Sequence, residues 1–146
     1  MVEPLNDLDA IVYLLNRAKE LGAYTIGVLV YGHSPVHTDE HYAQKTKELI
    51  ERTGVDAIML KDAGGLLTPD RIRTLVPAMK KVMGKLPFEL HSHCLTGLAP
   101  LVYLEGVKLG VEQLQTSIAP LANGEAQPAT QTMARNLRGM GYTVNI

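Results

Sequence analysis

The sequence predicts an α/β fold built from consecutive strand–helix units. Three observations carry that expectation. Glycines recur at Gly22, Gly54, Gly84, Gly110 and Gly141, 26 to 32 residues apart, each closing a stretch of helical periodicity. The first four lead into apolar runs: TIGVLVY (25–31), VDAIMLK (55–61), PFELHSH (87–93) and VEQLQTSI (111–118). The first two runs are nearly uninterrupted, as expected of strands buried on both faces of a parallel sheet.

The elements follow in order. Over 7–21, Leu8, Ile11, Val12, Leu15 and Ala18 fall on one stripe of a helix. After the first apolar run, Thr38 caps a second helix and places Asp39 and Glu40 at its positive end. After the second run, Thr68 caps a helix with Pro69 at its first position, and Ile72, Leu75, Val76, Met79 and Val82 repeat at helical spacing. The chain thus reads as one helix and four strand–helix units, a single domain over 1–146 with no linker and no low-complexity segment. Right-handed crossovers then give a parallel sheet. Two architectures satisfy the pattern, an open doubly wound sheet or part of a (β/α)8 barrel. A whole barrel takes about 250 residues, so this chain supplies half of one. In a half, TIGVLVY and LQTSI become the sheet edges, and such edges seek partners. No G-x-G-x-x-G follows the first strand, which weighs against a dinucleotide site.

Composition narrows the function. A formal net charge of −1 argues against nucleic acid or an anionic membrane as partner. No apolar stretch reaches the roughly 20 residues of a membrane span, and the start, MVEPLNDLDA, is acidic rather than signal-like. The single cysteine, Cys94, excludes an internal disulfide and fits a reducing compartment, so a cytoplasmic protein is expected.

Chemistry in parallel α/β folds gathers where strands end. Here those ends carry Tyr31, Lys61, the pair His91 and His93, and Thr116 to Ile118. Strand alternation puts Glu89, His91 and His93 on one face and Leu90 and Ser92 on the other. Two imidazoles at i and i+2 can bind one metal ion, or can be a hydrogen-bonded structural pair. Lys61 ends the preceding strand and would lie beside them. A cationic amine next to a metal is unfavourable, so such a lysine is either carbamylated by CO2 into an anionic ligand or simply paired with Asp62. His33 and His37 suit loop structuring better than substrate contact. Cys94 reads as a spectator, and Met59, Met79 and Met83 read as core.

The stretches IMLKDAGGLLTP and ELHSHCLTGLAP, about 30 residues apart, resemble the carboxyltransferase domain of biotin-dependent enzymes. That group includes pyruvate carboxylase, the oxaloacetate decarboxylase alpha subunit and the transcarboxylase 5S subunit. It lies within the metal-dependent barrel family of hydroxymethylglutaryl-CoA lyase. EPLNDLDAI, VYGHSPVHT and APLANGEAQPAT extend the resemblance along the whole chain. It implies a TIM-barrel fold of which about strands five to eight are present. It implies Lys61 as carbamylated ligand and His91 and His93 as imidazole ligands of a divalent metal, usually zinc, manganese or cobalt. It implies a keto-acid substrate, pyruvate or oxaloacetate, and biotin as carboxyl carrier on a partner domain. An aspartate ligand on the first barrel strand and the family's catalytic threonine have no counterpart here. Gln127 stands where the lyase branch has an asparagine ligand, which favours the carboxyltransferase branch. Two alternatives remain at this point: a non-catalytic half-barrel completed by another copy or by an N-terminal half, and an aldolase- or lyase-type member.

Overall fold

A computed structural model describes residues 2–146. Helix α1 (Leu8–Glu20) precedes strand β1 (Ile26–Val30); α2 (Asp39–Thr53), β2 (Ala57–Asp62), α3 (Pro69–Met83), β3 (Phe88–Ser92) and α4 (Ala99–Lys108) follow. Strand β4 (Gln113–Leu114), a 3-10 turn at Ala119–Leu121 and α5 (Thr130–Gly139) complete the chain. The four strands are parallel in the order β1-β2-β3-β4, so β1 and β4 are the sheet edges. Among the described residues no helix is long and apolar enough to cross a membrane.

The local signals act as their chemistry requires. Thr38 accepts the His41 N–H, and Thr68 accepts the Arg71 N–H with Pro69 at the first turn. Helix α2 stops at Gly54, whose φ of 55° is the left-handed conformation a side chain would resist.

Alternation divides the sheet into two faces. Ile58, Leu60, Phe88 and Leu90 point to the helices and are 0–1% exposed. They pack on Ile72, Leu75, Val76 and Met79 of α3 and on Val102 and Tyr103 of α4, in one continuous core. Each such side chain contributes about 1.5–3 kcal/mol by leaving water. Close helix approach depends on small residues: a Cβ at Gly106 of α4 would lie 2.5 Å from the Leu90 side chain, and one at Gly27 of β1 would lie 2.6 Å from Leu49.

The strand expected over 111–118 is corrected to two residues. The Gln115 N–H still reaches the Leu90 carbonyl at 2.9 Å, but the chain then leaves β3. Ser117 donates to the Pro128 carbonyl and accepts from the Thr130 N–H, both at 3.0 Å. Residues 115–118 therefore pair with their own return segment. On the opposite edge, Asn6 (φ 57°) lays its amide along β1, donating to the Val30 carbonyl at 2.8 Å and accepting the Val30 N–H at 2.7 Å.

Candidate functional site

The face of the sheet turned away from the helices carries its polar residues in layers. Register places Met59, Glu89 and Gln113 side by side, and one layer nearer the strand ends places Val30, Lys61 and His91 together. His93 follows just past β3, its N–H bound to the Asp62 carbonyl at 3.0 Å. Lys61, His91 and His93 are each half-buried at the same end of the sheet.

The two imidazoles converge. His91 Nε2 lies 3.0 Å from His93 Nε2, with the ring centroids 5.0 Å apart. The opposite ring nitrogens are both occupied by acceptors. His91 Nδ1 donates to Gln115 Oε1 at 2.7 Å, and His93 Nδ1 donates to the Glu125 carbonyl. A neutral imidazole carries one proton, so in the neutral form of both rings the Nε2 atoms turn lone pairs toward one another. Gln127 answers one of them, its amide donating to His91 Nε2 at 3.1 Å while its oxygen accepts from Ser117 Oγ at 3.0 Å. Two nitrogens bound at about 2.0–2.1 Å to one ion lie about 2.8–3.4 Å apart at bond angles of about 90–109°, and the observed separation falls in that range.

The surroundings favour uncharged forms. Burial holds the His91 imidazole below its usual range, with smaller contributions from the Lys61 and His93 charges, against an opposing hydrogen bond from Gln115. Burial pushes the Glu89 carboxyl upward against the Gln115 hydrogen bond. Glu89 is 3% exposed, directly beneath the histidines.

Asp62 is not the partner of Lys61. Its carboxylate accepts the Leu66 and Leu67 N–H groups at 2.8 and 2.9 Å and the Ser92 hydroxyl at 2.9 Å, which ties the loop after β2 to β3. Lys61 Nζ makes no hydrogen bond or ion pair among the described residues. Gly65 completes the loop: at φ 62° it passes so close to β3 that a Cβ would lie 2.7 Å from the His93 carbonyl. Thr96 also donates to the Gly65 carbonyl.

The other sequence candidates sort cleanly. His37 bonds Ser34 Oγ at 2.7 Å and stacks on Tyr42 with centroids 5.9 Å apart, a loop-structuring role. Cys94 is buried, burial raises its thiol, and its sulfur contacts Asn123 Oδ1 at 3.9 Å. Met79 and Met83 belong to the core, while Met59 is buried beneath the site. Among the described residues no group of three His, Cys, Asp or Glu side chains gathers to hold a metal. The polar groups gathered at this end of the sheet are His91, His93 and Lys61. A groove of about 780 Å3 lies elsewhere, between α4, α5 and the C-terminal residues on the helix side of β4, lined by Val107, Leu114, Met133 and Leu137. Its lysine, Lys80, is spent on the Gly110 carbonyl and Glu112.

Gln115 and the Glu125 carbonyl belong to the site without having stood out in the sequence. The signal for Gln115 was present: residues 113 and 115 continue on β4 the same-face polar alternation of Glu89 and His91.

Fold and site together define a class, a parallel βα-repeat protein with its polar site at the C-terminal ends of the strands. The chain belongs to the HMGL-like family, whose model matches residues 6–146. It is 38% identical over 144 residues to a pyruvate carboxylase subunit of Methanocaldococcus jannaschii, covering 99% of this chain and 25% of that protein. It is 31% identical to the methylmalonyl-CoA carboxyltransferase 5S subunit of Propionibacterium freudenreichii subsp. shermanii, covering 99% of this chain and 28% of that one. The structure of the carboxyl transferase domain of Rhizobium etli pyruvate carboxylase superimposes with a TM-score of 0.88 at 24% identity, over 94% of this chain and 24% of that chain. This last likeness establishes the fold, and the expected α/β architecture of (β/α)-barrel type stands. The chain spans about a quarter of the length of these relatives.

Proposed function

We propose that residues 1–146 form the C-terminal half, about strands five to eight, of a carboxyltransferase-like (β/α)8 barrel that moves CO2 between carboxybiotin and pyruvate or oxaloacetate. One observation carries this reading: His91 Nε2 and His93 Nε2 converge at 3.0 Å beside Lys61, whose Cα pairs with that of His91 across β2 and β3. That arrangement suits a divalent cation, zinc, manganese or cobalt, held by His91, His93 and Lys61. When bound, such an ion acts as a Lewis acid toward a keto acid.

The chain's own residues prepare this. The Lys61 amine, free of an anionic partner, attacks CO2 and releases one proton, leaving a carbamate whose oxygen replaces a cationic group with an anionic donor. Gln115 and the Glu125 carbonyl hold the imidazole protons on the far nitrogens, so both near nitrogens remain donors. Asp62 and Gly65 hold the loop after β2 against β3, which keeps Lys61 and the histidines at a fixed spacing. Exposed apolar residues project from all four loops at this end: Val36, Leu66, Leu95, Ile118 and Leu121, each 49–71% exposed. They suit partners that approach the site, of two kinds: a biotin carboxyl carrier domain, and a second half-barrel, either another copy or an N-terminal half.

The test is metal analysis of the purified chain together with an oxaloacetate decarboxylation assay, alone and with a biotinylated carrier domain. Bound divalent metal is expected in the parent and absent after joint replacement of His91 and His93 by alanine. Equal metal stoichiometry in the double variant would make these histidines purely structural. Metal binding without carboxyl transfer in any assembly would favour the non-catalytic or lyase-type alternative.

A further inference from the structure

We propose that Glu89 and Gln115 are paired positioning residues that select the tautomer of His91. The cation-binding part of this inference rests on the reading above.

Glu89 sits on β3 two residues before His91, on the same face, and is 3% exposed. Its hydrogen-bond partner is Gln115, whose Nε2 donates to Glu89 Oε2 at 3.3 Å. In its ionised form the Glu89 carboxylate only accepts, and the amide then presents its NH2 group to it, as observed. The amide is planar and its oxygen must then face the other way, where it meets His91 Nδ1 at 2.7 Å. An acceptor at Nδ1 draws the imidazole proton to that nitrogen and leaves Nε2 a lone pair. The orientation of one amide thus passes the carboxylate's preference to a ring it does not touch.

Without the carboxylate, nothing in this contact fixes the amide. A flipped Gln115 would turn its NH2 toward Nδ1 and move the proton to Nε2, where it would point at His93 Nε2 and displace the Gln127 amide that donates there. An apolar side chain beside Met59 would also avoid the cost of burying a carboxyl group. Tautomer selection gives this buried carboxyl a task that packing alone does not. Partners of this kind behind a ligating histidine raise metal affinity about 10- to 100-fold in other sites.

The experiment reads the tautomer directly. The full chain, labelled with 15N-histidine, is examined by NMR at about pH 8, where imidazoles are largely neutral. His91 is expected to carry its proton on Nδ1 in the parent and to shift toward the Nε2–H form in Glu89→Gln and Gln115→Met. His93, held by the Glu125 carbonyl, serves as internal reference and stays unchanged. Glu89→Met, which suits burial, provides a second route should Glu89→Gln fold poorly. Cobalt(II) titration of the same samples is expected to weaken about tenfold or more in each variant. An unchanged His91 tautomer in the folded variants overturns the proposal, whatever the metal does. A shifted tautomer with no cobalt binding even in the parent upholds the pairing and sinks the cation reading instead.

Discussion

The two faces of the β2–β3 pair differ in what they ask of their side chains. Toward the helices, Ile58, Leu60, Phe88 and Leu90 are sealed in a continuous apolar core. Toward the other side, one residue along, Lys61, His91 and His93 stand half-buried, with the two imidazoles directed at each other. The same ten or so residues of strand thus carry the apolar core on one face and the candidate site on the other. Glu89 is the exception, a buried carboxyl on the polar face, and Asp62 the converse, a polar group fully enclosed on the apolar one. Both exceptions serve the site, Asp62 by tying a loop to β3 and Glu89 by orienting Gln115.

Substitutions on the two faces should separate accordingly. Leu90→Ala removes a core side chain packed against Gly106 and is expected to cost about 3 kcal/mol in urea denaturation. A cost below about 1 kcal/mol would mean the helix face is not where stability resides. Tyr103→Phe is the next largest. Its hydroxyl donates to the Gln115 carbonyl at 2.7 Å and accepts the Ser92 N–H at 2.8 Å, so its loss leaves two enclosed backbone groups unpaired, about 2 kcal/mol. Joint replacement of His91 and His93 by alanine should change stability by less than about 1 kcal/mol, measured without metal, while removing the proposed cation donors. A large destabilisation there would join the faces into one structural unit.

The smallest effect depends on pH. Glu89 titrates above its ordinary value of 4.5 because burial disfavours its charge, so between that value and its folded pKa the native state holds more protons than the unfolded state. Its contribution is therefore fully present below about pH 4.5 and lost as pH rises through the folded pKa. Glu89→Gln should gain stability over the parent as pH climbs from 4 toward neutrality. Paired thermal melts at both ends of that range check it. A difference independent of pH would mean the carboxylate is better solvated than its position implies.

Much of this division is legible in the sequence. The glycines, the Thr38 and Thr68 caps and the apolar runs locate the bounds of α1 to α3 and of β1 to β3 within two residues. Local chemistry decides these, and local chemistry is what a sequence displays. Strand alternation likewise predicts that His91 and His93 share a face and that Ser92 turns to the helices, and Ser92 Oγ indeed reaches Asp62. The length of β4 was not legible. VEQLQTSI has the composition of a full strand, but at a sheet edge the chain chooses between β3 and its own return segment, and residues 127–130 win. The role of the Glu125 carbonyl was hidden for a related reason, since it meets His93 only once that return is made.

The Asn6 amide on β1 has a consequence for assembly. By donating to and accepting from the same residue, Val30, it occupies the backbone groups a neighbouring strand would need at that height. An incoming strand at this edge must therefore start its ladder lower, about Val28, and cannot slide toward the end of the sheet where Lys61 and the histidines lie. One side chain acts as a stop that would set the alignment of any strand docking at this edge. Asn6→Ala should accordingly permit shifted pairings: more heterogeneous oligomers, visible in sedimentation, with little change in the fold of the chain itself.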